Sequence, residues 1–261
     1  MKPNYKNWVP KTMLYLLGVF AVLCCAAAVL FQGFLKDGTA KTILSIVFLT
    51  LAIVLTAIFL WMLRMYRAFS YDGKRKLSKG VVEGIADYIK APKKGLILDV
   101  GCGSGALTIA VSKKNPKAKV IGIDKWGIEY ASYNQTLCEQ NAKAEAVSNV
   151  EFREGDAVKL NFFDESFDAV VSNYVYHNIT GIDRQQILLE TLRVLKKGGT
   201  FALHDIFSKE KYGDMELFID RLKSMGYESA KLIDTTDGLF MTKKEAIMYS
   251  LKDSAILYGR K

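Results

Sequence analysis

The chain has 261 residues, of which 50% are hydrophobic, and its formal net charge at pH 7 is +9. Its four cysteines lack metal-binding spacing, which excludes a zinc module and fits a reducing compartment. Much of the positive charge lies in residues 64–79, next to an apolar run, and this favours anionic lipid head groups over nucleic acid as its partner.

Two apolar runs near the N-terminus, residues 13–35 and 42–63, contain no charged side chain. Each is roughly 20 residues long, which is enough to cross a hydrocarbon core of about 30 Å. We therefore predict two transmembrane helices joined by the short loop at residues 36–41. The alternatives are a cleaved signal peptide for the first run and a buried core helix for the second.

The distribution of Lys and Arg around these runs predicts their orientation. Basic residues lie before the first run and after the second: Lys2, Lys6, Lys11, Arg64, Arg67, Lys74, Arg75, Lys76 and Lys79, against only Lys36 and Lys41 in the loop. Both termini are expected to be cytoplasmic and the protein to be a two-span membrane protein. The predicted domains are a membrane anchor over residues 1–69 and a cytoplasmic domain over residues 70–261.

A glycine-rich turn follows the first apolar strand of the second domain. The run Leu96–Val100 is typical of a buried parallel strand, and Gly101, Gly103 and Gly105 separate it from a helical pattern. Strand, glycine turn and helix bring bare backbone close to a ligand and aim the helix N–H groups at its polar end. Asp124, about 20 residues further on, stands where a ribose-binding carboxylate is expected. A tight turn without a ligand is the alternative.

The glycines do not match the dinucleotide-binding fingerprint, because Ala106 stands where that pattern needs its third glycine. This disfavours a nicotinamide oxidoreductase. The pattern Asp99-x-Gly101-x-Gly103-x-Gly105 instead resembles the first motif of the class I S-adenosylmethionine-dependent methyltransferases. The resemblance extends over about residues 75–261, is closest to small-molecule and quinone methyltransferases, and implies S-adenosyl-L-methionine as the cofactor.

The resemblance also implies which residues bind that cofactor. Asp99 is expected to face its methionine end, Asp124 to accept both ribose hydroxyls and Asp156 to accept the adenine amino group, with Trp126 against the adenine face. The implied set is Asp99, Gly101, Gly103, Gly105, Asp124, Lys125, Trp126, Gly155, Asp156, Ala157 and Asn173. The alternatives are a carboxylate that binds loop N–H groups at 99, a helix N-cap at 124, a turn aspartate at 156 and a core or surface tryptophan at 126.

Candidate catalytic residues follow the fourth strand, which ends at Asn173. His177 resembles a histidine often found at the pocket mouth of small-molecule methyltransferases, and its ordinary pKa suits a general base near neutral pH. Tyr176 is expected beside it at the same mouth. A structural histidine bonded to backbone is the alternative, and His204 or Asp205 either approaches the acceptor or has a core or capping role. No metal site is predicted.

Strand and helix patterns alternate from residue 77 onwards, and this alternation predicts an α/β fold. With the resemblance, we expect a Rossmann-like methyltransferase fold: a mostly parallel seven-stranded sheet with a C-terminal antiparallel hairpin, preceded by two transmembrane helices. Expected strands are 96–100, 119–124, 150–153, 167–173, 200–205, 230–234 and 255–258; expected helices are 77–89, 106–114, 127–147, 183–194, 211–225 and 242–251.

The function expected from these features is methyl transfer from S-adenosyl-L-methionine to a small, lipophilic or membrane-associated acceptor such as a quinone or lipid. The membrane hairpin suggests the lipophilic acceptor, because it would confine enzyme and substrate to the same two-dimensional layer. Two alternatives stay open: a protein or RNA methyltransferase tethered to the membrane, and a non-enzymatic S-adenosylmethionine-binding sensor. The acceptor atom and the oligomeric state are not determined by the sequence.

Overall fold

The computed structural model describes residues 2–127 and 132–261, which form two compact units. The hairpin unit comprises Asn7–Ser78, and the sheet unit comprises residues 2–6 together with Lys79–Lys261. The units therefore divide at residue 78 rather than at the expected residue 69. The N-terminal segment, which we expected in the anchor, belongs to the sheet unit.

The hairpin unit consists mainly of two long apolar helices, α1 (Lys11–Phe34) and α2 (Thr39–Phe69). Their most apolar windows have mean hydropathies of 2.7 and 2.9, and only 22% and 11% of those windows are buried. The helices pack against each other, and Gln32 Nε2 donates a hydrogen bond of 2.8 Å to Ser45 Oγ. Both helices are long and apolar enough to cross a membrane, and neither has the buried surface of a soluble core helix.

The sheet unit contains a seven-stranded mixed sheet in the order β3-β2-β1-β4-β5-β7-β6. The strands are β1 (Leu96–Val100), β2 (Lys119–Asp124), β3 (Val150–Glu154), β4 (Phe167–Asn173), β5 (Leu195–Ile206), β6 (Ser229–Asp234) and β7 (Ser254–Arg260). Strands β1 to β5 are parallel, and β7 is antiparallel to both β5 and β6. The expected Rossmann-like methyltransferase sheet is confirmed.

The strand order reverses at the centre of this sheet. The chain passes outward from β1 to β2 and β3, then returns to place β4 on the other side of β1. In open α/β sheets a crevice forms beyond the carboxyl ends of the strands at such a point, because the connecting segments diverge there. The turn after β1 and the turn after β4 both lie at this edge.

Helices of the sheet unit contribute apolar side chains to two hydrophobic clusters among the described residues. The helices are α3 (Leu77–Ala86, beginning in the hairpin unit), α4 (Ala106–Lys114), α5 (Gln135–Ala144), α6 (Arg184–Arg193), α7 (Lys209–Tyr212), α8 (Met215–Ser224) and α9 (Lys243–Met248). Apolar side chains of α6 and α8 join the large cluster with β1, β4 and β5. Those of α4 and α5 form a smaller cluster with Phe152 of β3, which we call the loop cluster because it includes Cys102 of the glycine turn.

Three expected elements differ most from the structure, while the helices expected at residues 77–89 and 242–251 each end three residues early. The helix expected at residues 127–147 is shorter: α5 begins after Asn134, whose side chain accepts a hydrogen bond from the Leu137 N–H at 2.8 Å, and residues 128–131 lie outside the described residues. The helix expected at residues 211–225 is two helices, because Gly213 has a φ of +68° and Asp214 caps a new helix. Strand β5 begins five residues earlier than expected, at Leu195 rather than 200, through a register irregularity opposite the start of β4.

Candidate active site

The glycine turn after β1 is held in the left-handed backbone region. Gly101, Gly103 and Gly105 have φ values of +74°, +55° and +78°, which are accessible to glycine at little steric cost. A Cβ at Gly101 would collide with Val175, and one at Gly105 would lie 2.9 Å from the Phe152 ring. A Cβ at Gly103 would meet no heavy atom of residues 2–127 and 132–261 within 4 Å. Among these residues, the backbone at Gly103 therefore faces open space.

Asp124 at the end of β2 is tied to this turn. Its Oδ2 accepts a hydrogen bond of 2.8 Å from the Gly103 N–H, and its Oδ1 accepts one of 2.9 Å from the Trp126 N–H. A carboxylate has about four acceptor lone pairs, so each oxygen keeps one for a ligand hydroxyl. Asp124 does not cap α5, since Asn134 has that role.

Asp99 lies under the same turn with only 1% of its surface exposed. Its Oδ2 accepts a hydrogen bond of 2.6 Å from the Thr108 hydroxyl on α4. Burial raises the pKa of Asp99 to about 7, although the Thr108 hydrogen bond lowers it, and the nearby Asp124 carboxylate adds to the rise. The side chain is thus placed to change charge when a cationic group approaches.

The expected adenine-binding residues follow β2 and β3. Asp156 Oδ1 accepts a hydrogen bond of 2.9 Å from the Val158 N–H, and its Oδ2 lies 3.3 Å from Lys125 Nζ in an exposed ion pair. Gly155 donates its N–H to the Asp124 carbonyl, so the β2 and β3 turns are joined. The indole N–H of Trp126 donates to the Gly103 carbonyl at 3.0 Å. Trp126 is therefore hydrogen-bonded to the glycine turn. Asp156 has the geometry of a turn aspartate, which was the alternative expected for it.

Asn173 and His204 form a hydrogen-bonded pair at the ends of β4 and β5. Asn173 Oδ1 lies 2.8 Å from His204 Nδ1, and His204 Nε2 lies 3.0 Å from the Thr235 hydroxyl. His204 is fully buried, and burial lowers its pKa to about 3, so its imidazole is neutral. Of the two roles expected for His204, the structure supports the core role, because it fixes the Asn173 side chain.

His177 and Asp205 form a second pair at the same edge of the sheet. His177 Nδ1 lies 2.5 Å from Asp205 Oδ1, while Asp205 Oδ2 accepts hydrogen bonds from the N–H groups of Tyr176 and His177 at 2.8 and 3.3 Å. Burial would raise the pKa of Asp205, but these hydrogen bonds and the imidazole hold it below its usual value. The carboxylate is therefore ionised and selects the tautomer with the proton on Nδ1.

The orientation of His177 leaves its other ring nitrogen available. The side chain is 15% exposed, and Nε2 makes no hydrogen bond within residues 2–127 and 132–261. Val175, two residues earlier, lies against Gly101 of the glycine turn. His177 Nε2 is thus presented at the edge of the sheet where the glycine turn also lies.

Tyr176 is not at the mouth of the pocket, which corrects our expectation. It is fully buried in the large cluster, and its hydroxyl lies 3.0 Å from the Thr191 hydroxyl on α6. Burial raises its pKa well above the usual value. The side chain packs the core beneath His177 and is no longer a candidate catalytic residue.

Sequence reasoning missed several residues that organise this site. Thr108 binds Asp99, Thr235 binds His204, and Ser254 lies 2.9 Å from the Tyr174 hydroxyl. Each is a short polar residue on an element distant in the chain, and an isolated Ser or Thr carries no local signal. Asn141, which contacts the glycine turn, was missed for the same reason.

Comparisons with known proteins place the chain in a family. The methyltransferase domain family model matches residues 92–224, which is half of the chain. Demethylmenaquinone methyltransferase of Lactobacillus johnsonii is 34% identical over 120 residues, covering 44% of this chain and 45% of that protein. The chloroplastic 2-phytyl-1,4-beta-naphthoquinone methyltransferase of Arabidopsis thaliana is 37% identical over 117 residues, covering 44% and 43%. The chain thus spans less than half the length of these relatives.

Solved structures support the same fold. A geranyl diphosphate methyltransferase in complex with S-adenosylmethionine has a TM-score of 0.53 at 16% identity, covering 75% of this chain and 90% of that one. Fold and site together define a Rossmann-like methyltransferase domain. The chain belongs to the methyltransferase domain family, and it has the fold of S-adenosylmethionine-dependent methyltransferases.

The described residues fit S-adenosylmethionine as the cofactor. The open space at Gly103 admits a group that approaches bare backbone, and Asp124 keeps acceptor capacity for ribose hydroxyls. Asp99 offers a carboxyl group for a cationic methionine end. No group of metal-ligating side chains occurs among the described residues.

Proposed function

We propose that the protein transfers a methyl group from S-adenosylmethionine to a small, lipophilic acceptor at a membrane. The observation that carries this proposal is the His177–Asp205 pair, which presents a free imidazole nitrogen at the sheet edge that also holds the glycine turn. A cofactor-binding sensor has no need of such a pair. An enzyme that must remove a proton from its acceptor does.

We assign cofactor binding to the turns after β1, β2 and β3. Asp99 binds the methionine end, Gly103 provides bare backbone and Asp124 accepts the ribose hydroxyls. Asp156 accepts from the adenine amino group in competition with its ion pair to Lys125, which is exposed and therefore weak. The remaining members of this proposed set are Gly101, Gly105, Lys125, Trp126, Gly155, Ala157 and Asn173.

The cofactor supplies a methyl group already activated on a sulfonium, so the protein mainly has to align the acceptor and manage its proton. His177 Nε2 accepts the proton of an acceptor hydroxyl or acidic carbon. Asp205 holds the ring in the correct tautomer and stabilises the imidazolium that forms. Asn173, fixed by His204, lines the space between the glycine turn and His177.

Two observations support a lipophilic, membrane-held acceptor. The helices α1 and α2 expose apolar side chains along most of their length, which suits a two-span membrane anchor. Two relatives are named as methyltransferases of demethylmenaquinone and of a phytyl naphthoquinone, both ring systems with a lipid tail. A reduced quinone carries ring hydroxyls, whose deprotonation by a histidine would activate the ring.

Methyl-labelled S-adenosylmethionine offered to the full chain in native membranes tests this proposal. We expect label in the organic phase of a lipid extract. The variant His177→Gln should lower the rate about a hundredfold or more, the lower range for loss of a general base, with cofactor affinity unchanged. Asn178→Gln is the matched control, because that exposed neighbour lies outside the proposed pair.

Three outcomes contradict the proposal. Label confined to protein or RNA would favour a tethered macromolecular methyltransferase. Cofactor binding without S-adenosylhomocysteine release on any membrane extract would favour a sensor. A normal rate in His177→Gln would remove the base from the mechanism.

A further inference from the structure

The first residues of the chain contact the glycine turn through one buried side chain. Asn141 of α5 is 1% exposed, and its Oδ1 accepts a hydrogen bond of 2.6 Å from the Asn4 N–H. Its Nδ2 donates to the Asn4 carbonyl at 3.1 Å and to the Ser104 carbonyl of the glycine turn at 2.9 Å. One amide therefore holds the N-terminal backbone in both directions and the turn at the same time.

Tyr5 makes a second contact with the same region. Its hydroxyl donates a hydrogen bond of 3.0 Å to Glu145, whose other oxygen is paired with Lys113 on α4. Its ring packs against the loop cluster, which contains Cys102 from the turn itself. The segment thus touches the C-terminal part of α5 and the apolar side of the turn.

These contacts couple the position of the segment to the conformation of the turn. If residues 2–6 left their place, Asn141 Oδ1 would lose its hydrogen bond from the Asn4 N–H, and Asn141 Nδ2 would lose its hydrogen bond to the Asn4 carbonyl. Both atoms lie in a site that is almost completely buried. Leaving buried polar groups without partners is costly, so the amide would reorient or admit water. Either change would disturb its bond to Ser104 between Gly103 and Gly105.

We propose that residues 2–6 form a strap whose docking on Asn141 positions the glycine turn for the cofactor. The strap precedes α1 by only four residues, so the chain links the apolar hairpin directly to the cofactor turn. The proposal concerns cofactor binding and is independent of the acceptor.

Thermodynamic linkage separates a positioning role from a merely structural one. If docking of the strap raises cofactor affinity by some factor, bound cofactor must favour docking by the same factor. A strap that only stabilised the fold would raise the melting temperature, but cofactor affinity and strap docking would not depend on each other. Cofactor affinity and the protection of the strap amides from hydrogen exchange therefore have to be measured together.

The test compares two substitutions of one residue in the full chain, held in detergent micelles and titrated calorimetrically with S-adenosylhomocysteine. Asn4→Pro removes the backbone N–H that Asn141 accepts and should weaken binding about tenfold, the scale of one or two lost hydrogen bonds. Asn4→Ala is the matched control: it keeps that N–H and loses only the exposed bond to Lys6, so affinity should change by less than about twofold.

Hydrogen exchange on the unmodified protein gives a second readout that needs no variant. We expect S-adenosylhomocysteine to slow exchange of the amides in residues 4–6. Equal affinity in Asn4→Pro and Asn4→Ala, or strap exchange that is indifferent to the ligand, would overturn the proposal. If Asn4→Pro does not fold, the exchange experiment decides alone.

Discussion

Asp99 shows how a single buried carboxyl group can make cofactor binding depend on pH. It is almost completely enclosed, hydrogen-bonded to Thr108, and has a pKa raised to about 7. Removing a carboxylate from water disfavours its charged form unless a cation compensates. The cationic methionine end of the cofactor is such a cation, so the neutral and ionised forms should bind it differently.

Cofactor affinity should rise as pH increases from about 6 to 8, because Asp99 ionises through its pKa of about 7 and the ionised form attracts the methionine ammonium group. Asp99→Asn keeps the size and the acceptor for Thr108 and should flatten this dependence. Calorimetric titration with S-adenosylhomocysteine at several pH values measures both. An unchanged pH profile in Asp99→Asn would assign the titration to another group.

Ionisation of Asp99 should have the opposite effect on the stability of the ligand-free protein, which should fall as pH rises. The folded-state pKa lies above the unfolded value of about 3.8, so between these values the folded chain binds more protons than the unfolded chain. Its contribution to the free energy of unfolding is present at low pH and is lost as pH rises towards 7. The free energy of unfolding of wild type, measured relative to that of Asp99→Asn by denaturation curves, should therefore fall as pH rises from 4.5 to 7.5. A relative free energy of unfolding that rises with pH would contradict the burial argument.

At the scale of elements, the glycine turn, the α5 helix and the turn after β4 depend on one another. The turn is enclosed by Val175 at Gly101 and by Phe152 with Cys138 at Gly105, whereas Gly103 meets no side chain of the described residues. The Gly103 carbonyl also accepts from Trp126 Nε1 and from Cys138 Sγ. The structure therefore distinguishes two glycines that pack against neighbouring side chains from one that does not.

Gly103→Ala should affect the cofactor more than the fold. The new methyl group enters empty space, so the main cost is about 1–2 kcal/mol for a left-handed alanine. We expect affinity for S-adenosylhomocysteine to fall by about tenfold or more, since even small misplacements of close contacts are costly. Gly101→Ala, which meets Val175, should instead lower the melting temperature sharply. Normal affinity in a folded Gly103→Ala protein would show that the cofactor does not approach this backbone.

At the scale of the whole molecule, a predicted membrane hairpin is covalently joined at both ends to a cofactor-binding sheet unit. Basic residues cluster before the first apolar run (residues 13–35) and after the second (residues 42–63), whereas the segment between the two runs carries only Lys36 and Lys41. Because basic residues are retained in the cytoplasm, both connections should lie on that side. A single compartment would then hold the strap, the glycine turn and the His177–Asp205 pair.

Thiol labelling in intact cells tests this topology. A membrane-impermeant maleimide should modify Asp37→Cys in the loop and should not modify Lys74→Cys in the segment after α2. Permeabilised cells provide the control, since both variants should then react. Labelling of Lys74→Cys from outside intact cells would reverse the orientation, and labelling of neither would argue against a spanning hairpin.

The sequence predicted those parts of the fold that have a local cause. The bounds of β1, β2, β4 and α4 follow from apolar runs and from the glycine or polar residues at which these runs end, and they agree with the structure to the residue. Gly213 ends α7 for an equally local reason, but its effect was missed because the apolar pattern continues beyond it.

The parts that were not predicted depend on contacts between distant segments. Tyr174 has a φ of +55°, and residues 176–178 form a single helical turn, so simple alternation after β4 cannot tell that Tyr176 points into the core and His177 does not. The proposed strap depends on the buried Asn141, which is separated from Asn4 by 137 positions in the chain, and no local pattern reveals such a contact. Asp205 is the partner of His177 because β4 and β5 are neighbours in the sheet, and no local pattern in the sequence indicates this pairing.

Calorimetric titration of the full chain with S-adenosylhomocysteine tests the central claim most directly, because every proposed role depends on the glycine turn and Asp124 binding this nucleoside. We expect a saturable signal in the wild type and in Asp237→Ala, which removes an exposed carboxylate elsewhere. Asp124→Ala should weaken binding by about tenfold to a hundredfold, the range for a charged hydrogen-bond acceptor. A folded wild-type chain that gives no binding signal, or an Asp124→Ala variant that binds as tightly as wild type, would contradict the account.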